Sequence, residues 1–163
     1  MISSIGVFVD GSPASQAALR VAAILAARAT CTLRGQFIED ERLFLYYPPI
    51  TAMGVAMGTA PSVPVPLPPH EMETVEREVR QHGDTLAQAF DEAADSANVR
   101  HEFDRLRGDV IDAMIATARV NGLVVLGCRS EESPDGPTNP GTKIEPLLRA
   151  TTRPVMLVPR EGL

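Results

Sequence analysis

A doubly wound α/β domain built on a parallel sheet is predicted by three observations. Short apolar runs alternate along the chain with amphipathic helical stretches, the pattern expected when each strand is followed by a crossover helix. The runs, such as Ile5-Gly6-Val7-Phe8-Val9 and Leu123-Val124-Val125-Leu126-Gly127, are continuous rather than alternating, as in strands covered on both faces. The 163 residues are 44% hydrophobic but only 4% aromatic, with no Trp, so the core must be made of Ala, Val, Leu and Ile. Such side chains let helices lie close on a sheet.

The first strand, 5–9, ends in Asp10-Gly11-Ser12-Pro13. Ser12 reads as a helix N-cap with Pro13 at the first helical position, where its missing N–H costs nothing. The helix that follows carries Ala14, Ala18, Val21, Leu25 and Ala29 along one face. A second strand is predicted at about 31–38, with Leu33, Gly35 and Phe37 on one side. Helical periodicity resumes at Glu71, where Met72, Val75, Val79, Leu86, Phe90, Ala93 and Ala97 recur at three- and four-residue steps to about Ser96. His82 falls on that face and is expected to pack there; no second His or Cys stands at metal-ligand spacing.

Residues 99–106 read as a strand loaded with Arg100, His101, Glu102, Asp104 and Arg105, which suits a sheet edge guarded by charge. Gly108-Asp109 opens a helix through Val110, Ile111, Met114, Ile115 and Ala118, with Asn121-Gly122 as its expected stop. The strand at 123–127 is the most central in character. A polar loop to Pro140, a helix over roughly 142–150 and a last strand at 155–158 complete five strands and four helices. Ligands of such sheets sit beyond the carboxyl ends of the strands, which points to Asp10-Gly11-Ser12 and Gly127-Cys128-Arg129-Ser130.

The chain reads as one domain, 1–163, interrupted by an insertion at about 43–70 that holds seven of the 14 prolines. This insertion is too Pro-rich for regular structure and, with Tyr46, Tyr47, Met53 and Met57, too apolar for an ordinary solvated loop. It is expected to form a lid or a surface for a protein partner. Its Gly54-xxx-Gly58 spacing lacks the apolar span that would make it a helix-contact motif.

Composition narrows the function. Lys plus Arg number 15 against 21 acids, a net charge of −6, so no nucleic-acid partner is expected. Met1-Ile2-Ser3-Ser4-Ile5 shows no basic segment before an apolar stretch, and no run approaches the length of a membrane span; a soluble cytoplasmic chain is expected, without membrane insertion. The two cysteines, Cys31 and Cys128, have neither CxxC spacing nor the number for a disulfide scaffold. Arg129 beside Cys128 would lower its pKa, so a redox thiol stands against the simpler reading of a small apolar filler.

Neither a catalytic constellation nor a metal site emerges. His70, His82 and His101 are scattered, and GxSxG and HExxH are absent. Residues 136–143 nearly spell the phosphate loop GxxxxGK[ST], but Thr142-Lys143 is reversed, and Pro137 and Pro140 remove backbone donors that such a loop needs.

Taken together, the motifs resemble the universal stress protein family. The resemblance rests on Val9-Asp10-Gly11-Ser12-Pro13-Ala14-Ser15 at the first strand end, Leu106-Arg107-Gly108-Asp109 before the third helix, and Leu123 to Arg129 at the fourth strand end. It continues without a gap from Gly141 to Val155 and covers the chain apart from 43–70. It implies the strand order 3-2-1-4-5, helices on both faces, and a regulatory role in stress response without catalysis. An adenine-nucleotide hydrolase would need an SGGxDS signature that is absent, leaving slow nucleotide hydrolysis as the one turnover still open.

One branch of that family binds ATP or AMP through G-x2-G-x9-G-[ST]. Carried over, Asp10 with Gly11 and Ser12 would meet ribose or adenine. Ile38 would pair with adenine through its backbone. Leu126, Gly127, Arg129, Ser130, Gly141, Thr142 and Lys143 would hold ribose and phosphates. Three departures stand against this: Ser130 replaces the second glycine, ten residues rather than nine precede Gly141, and the loop contains Glu131, Glu132 and Asp135. From Arg129 to Lys143 two positive charges face three negative ones. Thr142-Lys143-Ile144-Glu145 also forms a capping box whose Glu competes for the N–H groups a phosphate needs. Two readings therefore stand side by side: weak or altered binding of ATP or AMP, and a dimeric interaction module of the non-ATP-binding branch whose pocket is empty or holds another small ligand. The apolar strand 155–158, at a sheet edge in that order, predicts a homodimer formed through it.

Overall fold

The computed structural model describes residues 2–41, 69–128 and 144–160. Five parallel strands, β1 (Ser4–Phe8), β2 (Thr32–Asp40), β3 (His101–Gly108), β4 (Leu123–Cys128) and β5 (Val155–Pro159), form one sheet in the order β3-β2-β1-β4-β5. Helices α1 (Pro13–Ala29), α2 (Pro69–Ser96), α3 (Val110–Val120) and α4 (Ile144–Ala150) connect them in the expected alternation. None of these helices is long and apolar enough to cross a membrane.

The order dictates the layers. Leaving β1 in one direction through β2 to β3, right-handed crossovers put α1 and α2 on one face; going the other way through β4 to β5 puts α3 and α4 on the opposite face. Two apolar cores result. Ile5, Val7, Leu33, Phe37, Val125 and Val158 pack under α1 and α2, with Phe90 fully buried. Val124, Leu126, Ile144 and Leu147 pack under α3 and α4, with Phe8, Ile38 and Leu157 at the margin.

Local differences from the expected boundaries have physical causes. α1 buries a stripe centred on Ala18, Ala22 and Ala26, while Val21 and Leu25 are only partly covered and Ala29 is exposed. The smallest side chains, not the largest, face the sheet, because they allow the closest approach. α2 begins at Pro69, two residues before Glu71, as proline's fixed φ permits at a helix start. β3 spans 101–108 rather than 99–106: Val99 is buried before the strand, and the Arg100 carbonyl accepts Leu33 N–H at 2.9 Å. α3 ends without a left-handed residue. Asn121 is extended at φ −102°, and its buried side chain donates to the Thr117 carbonyl at 3.0 Å, satisfying a last-turn acceptor that a glycine turn would otherwise cover.

The two sheet edges differ as expected. β3 carries Arg34–Glu102 (3.2 Å), Arg105–Asp84 and Arg107–Glu76 pairs to β2 and α2. β5 is apolar, with Val158 buried and Val155, Met156 and Leu157 partly so. Phe90 packs against β2 at Gly35, where an added Cβ would collide with its ring and stand 2.8 Å from Phe103.

Candidate functional site

The winding reverses between β1 and β4, so their carboxyl ends bound the natural crevice of this sheet. The turn from β1 to α1 is held by a closed set of hydrogen bonds. Asp10 Oδ1 accepts Ser12 N–H at 2.8 Å, and Ser12 Oγ accepts Ser15 N–H at 3.1 Å as the α1 N-cap. Ser15 Oγ in turn donates to the Ser12 carbonyl at 3.0 Å. Gly11, at φ +85°, supplies the left-handed step between them. The carboxylate of Asp10 thus uses one oxygen to shape its own turn, and the residue stays exposed to solvent. An exposed carboxylate oxygen on a fixed turn is an acceptor for hydroxyl or amino donors, not a partner for phosphate.

Gly127 stands against this turn from β4. A Cβ there would lie 2.4 Å from the Ala14 carbonyl carbon and 2.7 Å from Ser15 N, so the strand runs against the first turn of α1. Asp10, Gly11, Ser12 and Gly127 are therefore brought together, as the sequence pattern implied. Leu126 is not a lining side chain: it is buried with Met114, Ala118 and Leu147 in the core beneath α3 and α4.

Ile38 requires a correction of another kind. The strand does not end there but continues to Asp40, and Ile38 sits opposite Leu106 of β3. Its peptide groups nevertheless face the crevice side. Leu33 N–H points to β3, where it meets Arg100, and the Gln36 carbonyl points to β1, where it accepts Val9 N–H at 2.9 Å. By strand alternation the N–H and C=O of Ile38 share the direction of Gln36, just past the last residue of β1.

His82 packs against Phe37 as expected, but it is also an exposed member of this neighbourhood. From the middle of α2 its Nε2 comes within 3.2 Å of the Asp10 carbonyl oxygen, and its ring meets Phe37 edge-on at 5.5 Å. Its position on the apolar stripe of α2 gave no sign of this; only the register of α2 against β1 reveals it.

At this end of the sheet Glu39, Asp40 and Glu41 follow Ile38 in β2, with Arg107 of β3 in register with Glu39. No group of three metal-ligating side chains occurs among the described residues. Arg129, Ser130, Gly141, Thr142 and Lys143, with the loop between them, lie outside the described residues, as does nearly all of the 43–70 insertion. Cys128 is half-buried at the end of β4.

Neither a protein-family model nor a curated protein sequence matches the chain. Solved structures match it over nearly its whole length. A universal stress protein from Lactobacillus plantarum is 20% identical at a TM-score of 0.70, covering 95% of this chain and 96% of that one. A universal stress protein in complex with cAMP is 16% identical, with a TM-score of 0.61 and 98% coverage of both chains. A universal stress protein family protein from Arabidopsis thaliana with AMP bound is 14% identical, with a TM-score of 0.62, covering 97% of this chain and 92% of that one. The fold is that of the universal stress proteins.

Proposed function

We propose that this protein is a regulatory domain of universal stress type that binds an adenine nucleotide at the carboxyl ends of β1 and β4 and acts through the bound state rather than by turnover. The observation that carries the reading is the β1 exit. A solvent-facing carboxylate on a hydrogen-bonded turn lies beside the close junction of β4 with α1, and the Ile38 peptide opens to the same side. Two neighbours of the same fold are described with AMP or cAMP bound. The carboxylate offers an acceptor to ribose hydroxyls, and the Ile38 peptide, past the last residue of β1, offers the paired donor and acceptor that adenine's edge requires.

The loop after β4 argues for AMP over ATP: Glu131, Glu132 and Asp135 in its sequence disfavour an added polyphosphate. Mass spectrometry of protein denatured after gentle purification tests the reading: a co-purified adenine nucleotide is expected. A clean protein that also gives no thermal shift with millimolar AMP or ATP would overturn it.

A second reading, a dimeric interaction module, is favoured by β5, an edge strand whose Val155, Met156 and Leu157 are only partly covered. Sedimentation should then give twice the 17.5 kDa chain mass at micromolar concentration, and a monomer would refute it.

A further inference from the structure

We infer that His82 is the positioning residue of this cleft, holding the Asp10 carbonyl so that the β1–α1 turn is set before a ligand arrives. This rests on the adenine-nucleotide reading, in which ribose hydroxyls donate to the Asp10 carboxylate.

Three contacts place the imidazole. Nε2 lies 3.2 Å from the Asp10 carbonyl oxygen, which can only accept, so Nε2 carries the proton. Phe37 of β2 meets the ring edge-on, fixing its plane. Gly11 leaves it room: a Cβ on Gly11 would stand 3.1 Å from His82 Cε1. Asp10 is thereby held at both ends of the residue, its carboxylate by the Ser12 N–H and its carbonyl by a helix otherwise remote in sequence. Without the imidazole N–H, the peptide between Asp10 and Gly11 loses its one tie to α2 among the described contacts. Gly11, at positive φ with no side chain, then lets the turn sample other geometries. The cost appears as lost affinity for ligands that use Asp10.

Two variants separate the hydrogen bond from simple packing. His82→Gln keeps a donor near the place of Nε2 but removes the ring; His82→Phe keeps the edge-on ring but removes the donor. Titration calorimetry with AMP should show His82→Phe weakened about three- to tenfold, the range of one hydrogen bond, and His82→Gln near wild type. Amide exchange at Ser12 and Ser15 should quicken in His82→Phe alone. Wild-type affinity and exchange in His82→Phe, or losses in His82→Gln alone, would overturn the inference. Should the wild type bind neither AMP nor ATP, the nucleotide reading falls by itself. The exchange data then decide the positioning role separately: faster exchange in His82→Phe upholds it, and equal exchange in all three proteins refutes it.

Discussion

The place where a side chain on Gly127 would stand is filled by the backbone of Ala14, 2.4 Å away at its carbonyl carbon and 2.5 Å at its oxygen. No rotamer change relieves such a contact, because the obstacle is main chain. Gly127 is thus required for β4 to reach the first turn of α1, whatever the crevice holds. Gly127→Ala should destabilise the protein by about 1–3 kcal/mol, and urea unfolding measures it. Because α1 must shift to admit the methyl group, the Ser12 cap and the Asp10 turn should loosen too, seen as faster exchange of the Ser15 amide.

Gly35 and Phe90 form a second close pair, but here the obstacle is a side chain that can be trimmed. Gly35→Ala should cost about 1–3 kcal/mol by overpacking, and Phe90→Ala about 3–5 kcal/mol by leaving a cavity. In the double variant the ring that crowds the new methyl group most is gone, and only the half-buried Phe103, 2.8 Å away, must still give. The combined cost should fall short of the sum by about 1 kcal/mol or more, which a double-mutant cycle in urea reads directly.

The nucleotide reading makes a charge prediction. Replacing Glu131, Glu132 and Asp135 by Gln, Gln and Asn should improve ATP affinity by about 1–2 kcal/mol, roughly five- to thirtyfold, and AMP affinity by less, since the polyphosphate feels the change most. Calorimetry with both nucleotides checks it. Equal gains would place the effect on the adenosine part, and no gain would exonerate the carboxylates.

Burial pushes the Cys31 thiol pKa up, against a smaller lowering by a backbone hydrogen bond. In the folded state the thiol keeps its proton at pH values where the unfolded chain has lost it. The stability from this site is therefore fully present below the unfolded thiol value of about 8.5 and is lost as pH rises through the raised folded value. Relative to Cys31→Ala, the wild type should lose stability as pH rises above about 8.5, which urea unfolding across that range measures. Half-buried Cys128 should also be alkylated before Cys31, which peptide mapping resolves.

How much of this was readable beforehand depends on the range of the interaction concerned. The Ser12 and Asp109 caps, the continuous apolar strands and the charged edge strand are written in neighbouring residues, and all are present, the edge strand two residues later than the sequence puts it. The close pairs Gly127–Ala14 and Gly35–Phe90 join segments remote in sequence, so a glycine's reason there was hidden. The family resemblance places Gly127 at ribose and phosphates; that an added Cβ there would meet the α1 backbone is a separate constraint that only the fold reveals. The contact of His82 with Asp10 is hidden for the same reason. A position on a helix's apolar stripe says which side faces inward, but not that the stripe runs over the exit of β1. Ile38 was legible in direction yet misplaced as a strand end, because nothing local marks where β2 stops pairing with β3.

The unlike edges of the sheet limit how far it can grow. A second copy joined at β5 would leave a β3 strand at each outer margin, its Glu102, Arg105 and Arg107 already engaged with β2 and α2. Such margins offer no apolar face to a third copy and repel flat stacking. As far as the described sheet edges go, an assembly that starts at β5 would therefore be self-terminating, closing as a pair.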